Sequence, residues 1–321
     1  MDNNELKLLI TIAQMYYEQN LTQNEISKKL SIYRTTISRL LKKAQEQGIV
    51  SFSINYELSS TFLLEKQLKE LFNLTHVIVT HNSDSSTIQD KLNTMGLACA
   101  DYLKQIICDG DILGLSWGSS LAAVAEQLDA SSYKDILCVP MVGGPAGKLE
   151  SKYHVNTIVY NIASKLHGKS LLMDFPAILD EQFLRDAIVK SQHYQQISKY
   201  WDSLSIAIFG IGSCEVSDKS IWYGFYGDGD DVKPINQEPI AGDICSRFYS
   251  YRGQPIQTTI SETIINIHLQ QLKKAKHRIG VAQSIEKADA MIGAMKGGYL
   301  NTLITTKETA QAILDRTLSP D

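Results

Sequence analysis

From His76 onward, short apolar runs alternate with amphipathic segments, and this alternation constrains the fold more than any other feature of the chain. The runs are HVIVT, DILGLSW, ILCVPMV, SIAIFGIG, HRIGVA and TLITT. Consecutive apolar and β-branched positions, with little period-2 alternation, are the mark of strands buried on both faces. Between them, Thr87–Cys108 (Leu92, Met95, Leu97, Ala98 and Leu103 among its apolar positions), LAAVAEQL and Val155–Leu166 have helical spacing. A further helix starts near Thr306, with Thr305 and Glu308 reading as a capping box. Strands that alternate with helices predict an α/β fold with a doubly wound parallel sheet. Ligands of such sheets sit beyond the carboxyl ends of the strands, and three of these runs end there in Gly/Ser loops.

The first fifty residues follow a different pattern. In TQNEISKKLSIYRTTISRLLKKAQEQG, Thr22 and Glu25 have capping-box spacing, and Ile26 and Leu30 share one face. Ser31-Ile32-Tyr33 has room only for a turn. A second helix runs from about Arg34, with Ile37, Leu40 and Leu41 inward and Gly48 placed to end it. Residues Glu5–Gln19 form a preceding helix, with Leu8, Leu9, Ile12, Ala13, Met15 and Tyr16 as its apolar face. This is a helix-turn-helix, and the N-terminal residues of its second helix lie nearest the base edges when such a helix enters the major groove. Lys28, Lys29, Arg34, Arg39, Lys42 and Lys43 face one acid, Glu25, while the whole chain carries −4. A locally basic face on an acidic protein fits phosphate neutralisation at one site better than bulk attraction to nucleic acid. The operator-reading candidates are Gln23, Tyr33, Arg34, Thr35, Thr36, Ser38 and Arg39. Tyr17 has a phosphate-contact reading and a more ordinary one as a packed tyrosine. Ile49–Tyr56 alternates with period 2 and reads as a strand or wing. The polar ELSST segment marks the boundary, giving a DNA-binding domain at 1–57 and an effector and oligomerisation domain at 58–321. The helix near 61–72, with Leu64, Leu68 and Leu71 on one side, begins the second domain or connects the two.

The totals exclude several classes. A chain of 321 residues holds two domains, one of them large. The acidic start MDNNELKLL is unlike a signal peptide, and no apolar run reaches membrane-spanning length, so a cytoplasmic protein is expected. Cys99, Cys108, Cys138, Cys214 and Cys245 form no CxxC, which argues against a zinc site. HExxH, a nucleophile elbow and a paired-carboxylate motif are absent from the sequence.

Small-molecule chemistry is best placed at Trp117-Gly118-Ser119-Ser120. Glycine lets the backbone approach a ligand, the following helix start offers free N–H groups, and two hydroxyls add donors, which together suit an anion or phosphate. The motif is neither Walker A nor GxGxxG. Gly143-Gly144 could form a second wall. Asp243 reads either as a hydroxyl-recognising acid or as a helix-start carboxylate favoured by the dipole. Lys287 reads either as a phosphate-neutralising cation or as part of a solvated face. His154, with no carboxylate partner at a telling spacing, is structural or ligand-lining rather than catalytic.

Taken together the residues resemble the SorC/DeoR-type bacterial sugar-responsive transcriptional regulators. The resemblance rests on YYEQNLTQNEISKKLSIYRTTISRLLKKAQEQGIV, DGDILGLSWGSS, VGGPAGKLESKYHVNT, WDSLSIAIFGIGS, GDICSRFY and AMKGGYLN, in this order. It implies an effector domain similar to sugar-phosphate isomerases of the glucosamine-6-phosphate deaminase type. It also implies operator DNA and a sugar or sugar-phosphate effector as partners, L-sorbose in particular, a homotetramer, and no cofactor. The family's phosphate-holding loop matches Gly118, Ser119 and Ser120, its double glycine Gly143 and Gly144, its acid Asp243 and its lysine Lys287. Departures are Val142 where some members have arginine, Gln283 and Ser284 where glycines are usual, and Tyr33 at the N-cap where Ser or Thr is common. The alternative reading is a sugar-phosphate isomerase or deaminase with an accessory DNA-binding domain. A DNA-architectural protein with an inert second domain fits the glycine loops less well.

Overall fold

A computed structural model describes residues 3–52, 60–83, 85–145, 150–213, 233–236 and 238–318. The chain divides into two compact units, Met1–Leu58 and Ser59–Asp321.

The small unit is three helices. Helix α1 (Asn3–Ala13) runs into a turn of π-helix (Gln14–Glu18), followed by α2 (Gln23–Leu30) and α3 (Arg34–Glu46). The capping box is present: Glu25 N–H donates to the Thr22 hydroxyl at 3.4 Å, and Thr22 N–H donates to the Glu25 carboxylate at 2.8 Å. These bonds to the charged form hold the Glu25 carboxyl below its usual range. Ser31 turns the chain with φ +54°, and Gly48 follows α3 with φ +70°. Ile12, Ile26, Ile37 and Leu41 form the buried cluster, with Leu40 only partly buried. The π-turn departs from the regular helix expected over 5–19; its register lets Leu21 N–H reach Met15 O at 3.0 Å. Ile49–Phe52 enter no strand ladder, and the remainder of the expected wing, with the boundary residues 57–59, lies outside the described residues.

In the large unit, α4 (Ser60–Leu71) packs on β1 (His76–Thr80) and on the C-terminal helix α12 (Lys307–Leu318). Then follow α5 (Ile88–Ile106), β2 (Ile112–Leu115), α6 (Ser119–Gln127), β3 (Leu137–Pro140), α7 (Val155–Lys165), β4 (Lys169–Ser170), α8 (Gln182–Lys190), α9 (Gln192–Ser198), β5 (Ile206–Phe209), the hairpin β6 (Ile240–Ile244) and β7 (Arg247–Ser250), α10 (Leu269–Leu272), β8 (His277–Val281), α11 (Ala288–Lys296) and β9 (Thr302–Thr306). Seven strands form one parallel sheet in the order β1-β9-β8-β5-β2-β3-β4. From β2 the chain winds through β3 to β4, then returns to β5 and winds the other way through β8 to β9. The winding direction therefore reverses between β2 and β5, and the crevice of a doubly wound sheet opens at such a point.

Two apolar layers cover the sheet. One includes Leu64, Leu68, Trp201, Phe209, Tyr249 and Met291; the other includes Met95, Leu103, Leu113, Leu121, Ile158 and Ile208. Trp201 is 1% exposed, and its indole N–H donates to Pro140 O at 2.9 Å, satisfying the ring's one polar atom.

Three expectations are corrected. Leu71 and Leu97 are exposed rather than core, because each lies on the solvent side of a helix that buries only one stripe. The last helix is capped by Thr306, which accepts from Thr309 N–H at 3.4 Å. Thr305 cannot cap it, since β9 continues through Thr306, which pairs with Thr80.

Gly96 allows α5 and α6 to touch: a Cβ there would lie 2.6 Å from Ala123 O, a backbone atom. Gly96→Val should lower stability by about 1–3 kcal/mol through overpacking, read as a fall in the urea midpoint with the m-value unchanged.

Candidate functional site

Loops after β2, β3, β5 and β8 meet at the carboxyl edge of neighbouring strands. At the reversal point, Ser116 N–H donates to Ile208 O at 3.2 Å and Gly210 N–H donates to the Ser116 hydroxyl at 3.4 Å, tying the β2 and β5 loops together. Trp117 is half-buried and packs against both apolar layers. Gly118 has φ +124° and donates its N–H to Tyr153 O at 3.2 Å. A side chain would strain that turn, so glycine is needed there. Ser119 and Ser120 are the first two residues of α6, whose start has no side-chain cap. The positive end of that helix is directed at the crevice.

Asp243 lies on β6, which removes the helix-start reading. Its backbone exchanges both hydrogen bonds with Gly212, at 3.0 and 3.2 Å, and its carboxylate accepts Ser246 N–H at 2.9 Å. A Cβ on Gly212 would lie 1.9 Å from Asp243 Oδ1, so the carboxylate is held directly over that glycine. Lys287 directs its Nζ inward to Ile211 O at 3.0 Å rather than to solvent. Burial holds the Lys287 ammonium below the ordinary lysine range, and the Asp243 charge opposes that shift. The structure thus brings Asp243 and Lys287 together on Ile211–Gly212, beyond β5. Gly212 is one of the glycines that end the SIAIFGIG run, and Ser116 is the part of this arrangement that motif reading missed. The only sequence signal for Ser116 was a lone polar residue ending an apolar run.

Gly143 and Gly144 have packing roles. A Cβ on Gly143 would lie 2.6 Å from Pro176 O, and one on Gly144 would lie 2.5 Å from His154 Nε2. His154 caps α7, its Nδ1 accepting Asn156 N–H at 3.2 Å, so the double glycine holds this ring beside the β3 loop. Burial lowers the His154 pKa and Asp174 partly opposes this. The neutral ring is therefore favoured, as acceptance at Nδ1 requires. Val142 is fully buried and bridges to Asn266.

Ser284 has φ +118°, in the left-handed region where glycine is favoured. Its N–H donates to Thr309 Oγ1 at 3.0 Å and its hydroxyl donates to Glu286.

On the small unit, Arg34, Thr35, Ser38 and Arg39 are exposed along the start of α3, and Gln23 and Thr36 are half-buried. Tyr33 is 85% exposed and makes no capping hydrogen bond. Lys42 is paired with Glu46 and Lys43 with Glu5, so the far half of the basic face is partly neutralised within the unit. The Tyr17 hydroxyl accepts from Gln45 at 2.9 Å and its ring packs edge-on against Phe52. That is the packed reading of Tyr17. Among the described residues no group of His, Cys, Asp and Glu could hold a metal, and no helix is long and apolar enough to cross a membrane.

The Lys287 geometry has a pH consequence. Between its lowered folded pKa and the unfolded value near 10.5, the unfolded chain binds more protons, so this group makes stability rise with pH. The stability of the wild-type chain relative to Lys287→Met should therefore increase from pH 7 toward pH 10.5; urea unfolding of both proteins at both ends of that range checks the sign.

The comparisons with known proteins agree with this architecture. Residues 56–315 match the model of a sugar-binding domain family, and residues 1–51 match a winged helix-turn-helix DNA-binding family. The chain is 44% identical over 314 residues to the sorbitol operon regulator of Klebsiella pneumoniae, covering 98% of this chain and 99% of the relative. It is 28% identical over 317 residues to the deoxyribonucleoside regulator of Bacillus subtilis (strain 168), covering 98% and 99%. The crystal structure of the full-length sorbitol operon regulator SorC from Klebsiella pneumoniae superposes with a TM-score of 0.76 over 98% of this chain and 99% of that one. These relatives are regulators, which sets aside the isomerase or deaminase alternative. The chain belongs to the SorC family of transcriptional regulators, with an N-terminal helix-turn-helix and a parallel-sheet sugar-binding domain.

Proposed function

We propose that the protein controls a polyol or ketose utilisation operon and that its operator affinity is set by a six-carbon sugar alcohol, the related ketose, or a phosphate ester of either. The observation that carries this reading is the convergence of Asp243 and Lys287 on Ile211–Gly212, at the point where the winding of the sheet reverses. An acid suits hydroxyl recognition; a half-buried cation together with the α6 start (Gly118, Ser119, Ser120) suits a phosphate. Trp117 supplies an apolar wall, and Gly143 and Gly144 shape the neighbouring loop.

The similar regulator from Klebsiella pneumoniae is named for sorbitol rather than L-sorbose, so the effector class is wider than the sequence expectation. We place sorbitol, L-sorbose and their phosphates within it. Residues 1–57 read the operator and 58–321 bind effector and assemble the oligomer. We read that assembly as a cytoplasmic homotetramer, bound to DNA as paired dimers. Gln23, Tyr33, Arg34, Thr35, Thr36, Ser38 and Arg39 are the operator-facing residues. The effector acts by population shift, favouring one arrangement of subunits over another. Half-sites lie about 34–36 Å apart per helical turn, so a small rearrangement decides whether two heads fit together.

The test is operator binding, with DNA from upstream of the gene cluster, at fixed salt because phosphate contacts make affinity salt-dependent. Sorbitol, L-sorbose and their phosphates are each added. One of them should shift the affinity, and the shift should vanish in Ser119→Ala/Ser120→Ala and in Lys287→Met. Operator binding that none of them alters would remove the effector reading. A separate test concerns Tyr33→Ser, which should leave thermal stability unchanged or slightly higher, because serine caps a helix better than tyrosine. It should also redistribute affinity among operator variants. A uniform loss across all sequences would instead assign Tyr33 to backbone contact.

A further inference from the structure

Four side chains from four segments share a neighbourhood that the proposed effector site does not use. They are Arg185 on α8, Tyr194 on α9, Arg247 at the start of β7, and His268 just before α10. Burial lowers the Arg247 pKa, and the nearby Arg185 charge lowers it further. The Tyr194 hydroxyl feels both guanidiniums. His268 is lowered by burial and then by Arg247 and Arg185, which keeps the ring neutral. Among the described residues, the acids within reach are Asp186, which accepts from Arg185 Nη1 at 2.9 Å, and the exposed Glu262 near Arg247.

The Nε atoms of Arg185 and Arg247 are both buried and have no hydrogen-bond partner among the described residues. A guanidinium binds an oxyanion through two parallel N–H bonds, often along its Nε–Nη2 edge. Asp186 occupies Nη1 of Arg185, on the other side, and leaves that edge available. Two neighbouring cations with buried, unmade donors are unfavourable on two counts: mutual repulsion and lost hydrogen bonding. An anion with several acceptor oxygens removes both. A phosphate can accept from two arginine edges and a phenol at once, whereas a carboxylate has only two oxygens to share among them.

We propose that Arg185 and Arg247 form an anion seat for a phosphate group, with the Tyr194 hydroxyl as a further donor, built from side chains other than those of the Asp243–Lys287 site. The phosphate is either inorganic or the ester group of a sugar phosphate. The seat stands whether or not the sheet edge binds the effector.

The full-length protein tests this by calorimetric titration and thermal unfolding in phosphate-free buffer of constant ionic strength, with inorganic phosphate in one arm and sorbitol 6-phosphate in the other. The proteins are wild type, Arg247→Lys, Arg185→Gln/Arg247→Gln, and Lys287→Met as a control on the other site. Wild type and Lys287→Met should bind at least one of the two probes with a raised melting temperature. Arg247→Lys should bind that probe about tenfold more weakly, because an ammonium keeps the charge but cannot form the fork. The double variant should lose the part of the response that Lys287→Met keeps, yet melt no lower than wild type without phosphate, since a like-charge repulsion has been removed. Loss of binding in the arginine variants for inorganic phosphate identifies the free ion as a ligand; loss for the ester alone identifies the sugar phosphate. Equal binding by wild type and Arg247→Lys, a response lost in Lys287→Met but kept in the double variant, or no response of wild type to either probe would overturn the proposal.

Discussion

A parallel sheet sends the carboxyl end of every strand to one edge, and the rest of this molecule depends on what the chain does there. Because winding reverses between β2 and β5, the loops leaving those two strands diverge to opposite faces, and a crevice opens between them. Ser116 bridges the gap through Ile208 O and Gly210 N–H. The loops are thereby fixed at a spacing at which Gly118 can start α6 on one side and Gly212 can pair with Asp243 on the other. Remote elements contribute as well: the β6–β7 hairpin packs on α11, and α11 begins directly after Lys287.

Several features of this edge are locally unfavourable. Lys287 carries its charge in a half-buried setting, Ser284 holds a φ of +118°, and the α6 start is uncapped. A strained backbone of this kind costs on the order of 1–3 kcal/mol. The surrounding layers, with Trp201, Phe209, Tyr249 and Met295 almost wholly buried, over-determine the geometry and hold it in place. Under the function proposed above, a ligand bearing negative charge and hydroxyls relieves the first and third of these. That is the differential interaction a regulator requires: an effector moves an equilibrium only by the difference between its affinities for the two states, about 1.4 kcal/mol for each factor of ten.

What was legible in the sequence divides along the same line. The Thr22–Glu25 cap, the Ser31 turn, Gly48 and the apolar strands were legible because their causes lie within a few residues. Asp243 had two readings because its position depends on pairing with Gly212, far earlier in the chain. The need for Gly143 and Gly144 arises from Pro176, Ala177 and His154, none of which neighbours them in sequence. The short strands β4, β6 and β7 went unread because their alternation is too brief to stand out. Thr305 was mistaken for a cap because the TLITT run ends in two threonines, and only the pairing of Thr306 with Thr80 shows that the second of them closes the strand. At Ser284 the resemblance marked a departure from glycine, and the backbone there has kept the conformation glycine favours. The Arg185–Arg247 pair had no sequence signal, since two arginines on different elements announce nothing about their separation.

The two helices of the DNA-reading unit show how an unsatisfied end can carry meaning. Helix α2 is closed at its start by Thr22 and Glu25, an internal cap with its own negative charge. Helix α3 has no such cap. Tyr33 accepts from Thr36 and Ile37 N–H through its carbonyl, at 2.9 and 3.0 Å, but its side chain points away into solvent. The positive end of α3 therefore remains available, flanked by Arg34 and by the hydroxyls of Thr35 and Ser38. A serine at position 33 would satisfy the helix from within. Tyrosine leaves the end uncapped, and under the proposal above its exposed side chain meets the operator instead. On this reading the weak cap of α3 is part of how the helix seats itself on its operator, and the stability forgone at its first turn is recovered only when DNA is bound.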